Sequence, residues 1–188
     1  MKTTVQKTML ALGLASALGA HATDTAGQNF QVQVTVLPTC RMTTATVASD
    51  ASGNSDINFG SVDADATGLA KGNNGSSGAG IKVTCSNTTP YAVKLTPSNS
   101  NTTGAGVVTG QSTAANPQQT IAYQLRQATG AAASVWGNTA TSGTSLGNSV
   151  GGTGTGSAQE IQAFATIASI GGVAPGVYKD TVTVAVTY

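Results

Sequence analysis

The pattern of apolar and polar positions along the chain is that of a β protein. The clearest stretch is Gln28–Leu37 (QNFQVQVTVL), where Phe30, Val32, Val34 and Val36 alternate with polar residues. Strict period-2 alternation in residues that favour strands predicts a β-strand with one buried face. A strand so close to the N-terminus must be tied into some sheet. The pattern leaves open whether that sheet is its own or that of a neighbouring molecule.

Similar alternation recurs downstream, between stretches rich in Gly, Pro, Asn and Ser. No window of helical length after the leader has apolar residues at helical spacing, so we expect an antiparallel sandwich or barrel. The further predicted strands are Thr43–Ala48, Ile57–Gly60, Ile81–Cys85, Tyr91–Thr96, Thr120–Arg126, Gln159–Ile167 and Tyr178–Tyr188, with a shorter one at Val107–Val108.

Three long stretches are predicted to be loops because they are rich in small and polar residues. They are Asp63–Gly80, Pro97–Gln118 and Gly137–Ser157. The last consists almost entirely of Gly, Ser, Thr and Asn, which is typical of a long low-complexity hairpin or loop.

Residues 1–22 have the pattern of a secretory signal peptide. Lys2 and Lys7 precede an apolar run, Met9–Ala20, and Ala20-His21-Ala22 has small residues at both flanking positions of a cleavage site. The apolar run is too short to span a bilayer. We therefore expect export, with a mature chain that begins at Thr23 and forms one domain.

The charge of the chain is low and evenly spread. There are eight Lys and Arg residues, two of them in the leader, against seven Asp and Glu residues. No cluster of charge favours binding to nucleic acid or to an anionic membrane surface. We expect neither a nucleic-acid partner nor membrane insertion.

Two cysteines in an exported chain predict a disulfide between Cys40 and Cys85. Two thiols without a histidine outside the leader do not supply a tetrahedral zinc site. The single histidine, His21, lies in the leader, so the mature chain has no Ser-His-Asp or Cys-His arrangement. We therefore expect no enzyme activity, no cofactor and no metal site.

Five segments in a fixed order are recognisable as a set. They are Phe59-Gly60, Gly80–Ser86 (GIKVTCS), Pro90–Leu95 (PYAVKL), Tyr123–Leu125 followed by Trp136, and the terminal Pro175–Tyr188 (PGVYKDTVTVAVTY). Together they resemble the spore coat protein U family, which includes pilin subunits of archaic chaperone–usher pili. The resemblance covers nearly the whole mature chain.

The resemblance implies an incomplete immunoglobulin-like antiparallel β-sandwich that lacks its last strand, which a donor strand from another subunit completes. It implies three kinds of partner: a periplasmic chaperone, an outer-membrane usher, and other pilin subunits in a homopolymer or a mixed fibre. The protein would pass through the periplasm to a pilus on the cell surface. The implied domains are residues 1–22 as signal peptide, 23–37 as donor segment and 38–188 as pilin domain.

The resemblance also assigns residues to the two sides of this exchange. No obvious sequence for a further pairing strand follows Tyr188, so we expect the terminal stretch to line an acceptor groove. The family places Cys40 against Cys85. The donor residues would be Phe30, Val32, Val34 and Val36, and those of the acceptor edge strand Tyr178, Val182, Val184, Val186 and Tyr188.

The alternative is a secreted, self-complete β-sandwich that binds a surface or a carbohydrate. Its loops would carry the binding, with Trp136 and Tyr91 as candidate contacts unless both lie in the core. A self-complete module should be a soluble monomer, whereas a pilin without its chaperone should aggregate.

Overall fold

The computed structural model describes residues 27–44, 55–73, 80–111 and 119–188. Within these residues the secondary structure is all β, without a helix. The predicted signal peptide and most of the predicted strand Thr43–Ala48 lie outside the described residues. The chain separates into two units, residues 1–35 and residues 36–188. The strands all belong to the second unit.

The described residues contain eleven short strands. Their bounds are β1 Cys40–Thr43, β2 Thr67–Gly72, β3 Ile81–Cys85, β4 Pro90–Thr96, β5 Ala105–Gly110, β6 Thr120–Arg126, β7 Val150–Thr153, β8 Ala158–Ile161, β9 Phe164–Ser169, β10 Tyr178–Lys179 and β11 Thr183–Thr187.

The strands form three antiparallel sheets around one core. The sheet orders are β1-β3-β8, β10-β5-β6-β9-β2 and β11-β4-β7. Inward residues of β3, β4, β6 and β9 meet in a single hydrophobic cluster. The prediction of an all-β antiparallel sandwich is therefore confirmed.

Two of the sheets share a long two-stranded ribbon. Strands β3 and β4 follow each other along the chain and pair with β8 and β7 respectively. Ile81 lies opposite Ile161 and Val93 opposite Val150, so the register shifts by one residue across the break between the two halves. Along its other side the ribbon pairs with β1 at one end and β11 at the other. The first and last strands of the domain thus lie on the same side of the ribbon.

Trp136 anchors the core from outside the strands. Its side chain is fully buried, and its Nε1 donates a hydrogen bond of 2.8 Å to the carbonyl oxygen of Val93. The partner matters because a buried indole N–H without an acceptor would be costly.

The predicted low-complexity loop Gly137–Ser157 contains strand β7, and in the part before that strand Asn148 makes several hydrogen bonds. Asn148 Oδ1 accepts hydrogen bonds from Thr139 N at 3.0 Å and Thr139 Oγ1 at 2.8 Å. Asn148 Nδ2 donates to Thr102 O at 2.9 Å. A Cβ at Gly137 would lie 2.0 Å from Thr102 O, so only glycine allows the two loops to approach so closely. Gly137 and Thr139 of this stretch therefore contribute to the packing of the two loops.

The structure corrects several strand predictions. Strand β2 lies inside the predicted loop Asp63–Gly80. It is an edge strand in which only Leu69 and Gly72 are partly buried, so the alternation that marks a half-buried strand is missing. The predicted strand Ile57–Gly60 is absent, although Ile57 and Phe59 pack against the core.

Two predicted long strands are each divided between sheets. Gln159–Ile167 becomes β8 and β9, with a break at Ala163, whose backbone N–H donates to Asn73 Oδ1 at 3.1 Å. Tyr178–Tyr188 becomes β10 and β11, with a break at Asp180–Val182. In both cases the alternation continues across the break, because the chain keeps facing the same core after it changes sheet.

Candidate functional site

Strand β11 presents an open edge. One side pairs with β4, from Thr183 opposite Thr96 to Thr187 opposite Ala92. No strand pairs with its other side in the part of the chain that the structure describes. Such an edge offers unpaired backbone donors and acceptors to any further strand.

The core is incompletely covered beneath this edge. Val182, Val184 and Val186 pack against the core cluster but remain partly exposed. By contrast, Val83 on β3 is 0% exposed and Leu95 on β4 is 1% exposed. The inward face of β11 therefore still has apolar surface to bury, and a strand laid against this edge would bury it.

The core is also incompletely covered at the edge of β1. Cys40 and Met42 face the core from β1 and are only partly buried. Strand β1 pairs with β3 on one side, and among the described residues no strand pairs with the other. Partly buried residues on β1, on β11 and immediately before β11 form what we call the acceptor edge: Cys40, Met42, Val182, Val184 and Val186.

A covalent and hydrogen-bonded clamp holds the point where the N-terminal segment leaves this domain. The predicted disulfide joins Cys40 to Cys85, which lie opposite each other in the β1–β3 ladder. Thr39, which precedes Cys40, accepts a hydrogen bond of 2.9 Å at its carbonyl oxygen from the backbone N–H of Ser86. Thr39 N donates back to Ser86 Oγ at 3.1 Å. The clamp fixes the start of β1 on β3.

The four predicted donor residues are exposed. Phe30, Val32, Val34 and Val36 have exposed fractions between 79% and 88%. The predicted strand Gln28–Leu37 is absent, since none of its residues takes part in a ladder. The physical reason is that a strand gains stability from pairing, which this segment lacks here. A row of exposed apolar side chains is typical of an interaction site.

Three of the five residues predicted for the acceptor edge strand lie outside β11, and one of them, Val182, immediately precedes it. Tyr178 belongs to β10 and pairs with Gly110 on β5, so its assignment to the same strand as Val184 is wrong. Its hydroxyl donates to Ala174 O at 2.8 Å. Tyr188 follows the last residue of β11 and is 52% exposed.

A partly buried hydrogen bond at the break between β10 and β11 was not predicted from the sequence. The Tyr123 hydroxyl donates to Asp180 Oδ2 at 2.6 Å, and Asp180 Oδ1 accepts from Thr181 N at 2.8 Å. Burial of the phenol, and then its bond to and the charge of Asp180, raise the pKa of Tyr123 well above its ordinary value of 10.0. The two residues are 57 positions apart, and no local motif links them.

We expect this pair to make stability fall at alkaline pH. Below pH 10 the phenol is protonated in both the folded and the unfolded chain, so the bond contributes fully. Above it the unfolded phenol ionises first, because the folded pKa is raised, and the contribution is lost as pH rises further. Urea unfolding midpoints between about pH 8 and pH 11 should fall less steeply in Tyr123→Phe than in the wild type. Equal slopes in the two proteins would contradict the prediction. Burial also raises the pKa of Tyr91, but Tyr91 is present in both proteins and does not affect the difference between them.

The candidate contacts of a binding module are not at the surface. Trp136 is 0% exposed and Tyr91 is 2% exposed, so both are core residues. A cavity of about 330 Å³ on β2, β6 and β9 has Arg126 as its only charged lining residue among those described. The Arg126 guanidinium donates to Ala133 O at 2.7 Å and to Thr166 Oγ1 at 3.3 Å, so it is engaged within the chain.

The described residues contain no group of three or more potential metal ligands. In the same residues, no helix has the length and apolar character needed to cross a membrane.

The chain was compared with known proteins. A comparison with curated proteins found no match. Among solved structures, the chain is similar to the CsuC–CsuE chaperone–tip adhesion subunit pre-assembly complex from archaic chaperone–usher Csu pili of Acinetobacter baumannii. The identity is 22% and the TM-score 0.45, over 82% of this chain and 40% of that one. A family model described as the Spore Coat Protein U domain matches residues 26–185. The resemblance found in the sequence is thereby confirmed: the chain belongs to the Spore Coat Protein U domain family.

Proposed function

We propose that this protein is a structural subunit of an archaic chaperone–usher pilus. It polymerises by donor-strand complementation, and the fibre serves surface attachment or biofilm formation. One observation carries the proposal. The same chain has an acceptor edge with half-buried valines and an N-terminal segment with four exposed apolar residues in strand alternation.

The two features are chemically complementary. A strand added at an open edge supplies ladder hydrogen bonds, while alternate side chains fill the gap in the core. Burying Phe30, Val32, Val34 and Val36 would contribute on the order of 6–10 kcal/mol before ordering costs. The segment of one subunit would complete the domain of the next, and each subunit would both give and receive a strand.

The proposed partners follow from the exposure of the acceptor edge. An uncovered edge beside an incomplete core is an aggregation hazard during export. A periplasmic chaperone would cover the edge by lending a strand, and an outer-membrane usher would exchange that strand for the segment of the incoming subunit. The assembled protein would lie on the cell surface, with other pilin subunits as its neighbours.

The proposal predicts multimers that survive detergent but not heat. Wild-type protein exported together with its chaperone and usher should run as a ladder on an unheated denaturing gel, because dissociation requires a buried strand to leave its groove. Boiling should collapse the ladder to monomer. Monomer alone in the unheated sample would contradict the proposal and favour the self-complete binding module.

A further inference from the structure

The chain changes sheet immediately before β11. Between Lys179 and Thr183 the chain leaves the five-stranded sheet and enters the sheet of β4. Only Asp180, Thr181 and Val182 separate the two strands. The start of β11, and with it the acceptor edge, therefore depends on how this short crossing is fixed.

Asp180 is bound at both of its carboxylate oxygens. Oδ2 accepts from the hydroxyl of Tyr123 at 2.6 Å, and Oδ1 accepts from the backbone N–H of Thr181 at 2.8 Å. Tyr123 lies on β6, the central strand of the five-stranded sheet, and its side chain is part of the buried core. The crossing is thus tied to a rigid part of the domain. Hydrogen bonds to a charged partner are among the stronger ones in proteins.

Strand β5 has no side chain at the position where the Tyr123 ring crosses it. Gly106 on β5 lies opposite Tyr123 in the ladder, and β5 separates β6 from β10. A Cβ at position 106 would lie 2.2 Å from Tyr123 Cζ, which is too short for a non-bonded contact between two carbon atoms. Glycine at this position lets the ring cross β5 and reach the turn after β10.

We infer that Tyr123, acting through Asp180, is a positioning residue that sets the register of the acceptor edge. This inference rests on the proposed function. Because side chains alternate along a strand, a slip of one residue in β11 would turn Val184 outward and Ala185 inward. The bond at Asp180 lies two residues before Val182, the first of the three inward valines. It therefore holds the valines on the face that a donor strand covers.

The test compares two tyrosines that differ in where their hydroxyls bind. Tyr123→Phe removes only the hydroxyl at the crossing, while Tyr178→Phe removes a hydroxyl that donates to Ala174 O instead. Both changes keep the ring in place. The first readout is hydrogen exchange of the mature full-length protein. Tyr123→Phe should raise exchange of the β11 amides roughly tenfold and leave the β3 amides unchanged, and Tyr178→Phe should change neither.

The second readout is the rate at which multimers dissociate in detergent at a fixed temperature. Tyr123→Phe should dissociate roughly tenfold faster than the wild type, and Tyr178→Phe within about twofold of it. Asp180→Asn keeps an acceptor for only one of the two bonds, because its Nδ2 can only donate, for example to the Tyr123 hydroxyl oxygen. Its dissociation rate should lie between those of Tyr123→Phe and Tyr178→Phe. Unchanged β11 exchange in Tyr123→Phe, or equal increases in β11 and β3, would overturn the inference. If the wild type forms no multimers, the proposed function fails, and the exchange measurement still decides whether Tyr123 positions β11.

Discussion

Replacing Val34 with aspartate is expected to abolish the heat-sensitive multimers. In the proposed fibre Val34 enters the core of the neighbouring subunit, and an aspartate there would bury a carboxylate without a partner. That change costs ~4 kcal/mol or more, or about a thousandfold in the equilibrium between bound and free strand. The measurement is an unheated denaturing gel of the exported protein with chaperone and usher present.

The matched control is Thr35→Asp. It adds the same charge one residue further along, on the opposite face of the donor strand, where the side chain would meet solvent. On the unheated gel, its series of multimer bands should resemble that of the wild type. Loss of the ladder in both variants would mean that charge in this segment, rather than burial of one face, disturbs assembly, and the donor assignment would fail.

Mixing the variant with wild-type protein sharpens the result. A Val34→Asp subunit should still receive a strand, because its acceptor edge is unchanged, but it should not give one. It is therefore expected at one end of wild-type multimers, shortening the ladder as its proportion rises. If the variant is excluded from wild-type multimers altogether, its domain has lost the ability to receive a strand and the assignment of separate roles is wrong.

Removing the disulfide should have the second large effect. The bond joins residues 45 positions apart, and closing a loop of that length stabilises by about 4 kcal/mol on the chain-entropy model. The Cys40→Ser, Cys85→Ser double variant should unfold at a temperature roughly 8–16 °C lower than the oxidised wild type. Thermal unfolding followed by the emission of Trp136, the only tryptophan, provides the measurement.

Reduction supplies the control for this prediction. A reducing agent should lower the unfolding temperature of the wild type towards that of the double variant and leave the double variant unchanged. A double variant as stable as the oxidised wild type would show that the hydrogen bonds between Thr39 and Ser86 hold β1 by themselves.

Much of the fold could be predicted from local alternation. Strands β3, β4 and β6 have buried inward residues, and their predicted bounds agree with the observed ones to within one residue. Strand β2 could not be predicted, because an edge strand that buries little leaves no period-2 pattern. The changes of sheet at Ala163 and Asp180 were also missed. The alternation of apolar residues shows which side chains face the core, but not to which sheet a strand belongs.

The candidate site was predictable in part for the same reason. Val182, Val184 and Val186 face the core as the alternation predicts, but their partial exposure depends on what covers them, which only the three-dimensional structure shows. The pairing of Tyr123 with Asp180 has no local signature, since the residues come from different strands. The exposed segment with Phe30 and Val34 was predicted as a strand from its pattern alone. Its role as a donor remains a prediction.

The clamp at Thr39 and Cys40 has a mechanical consequence for a fibre built in the proposed way. Tension between subunits would enter each domain through the N-terminal segment, immediately before β1. Strand β1 is four residues long and would peel from the sheet edge one hydrogen bond at a time. The disulfide passes the force instead to Cys85 on β3, the middle strand of its sheet. A pulled fibre would therefore load the ribbon along its length, and the donor strand, rather than β1, would be the first element to slide.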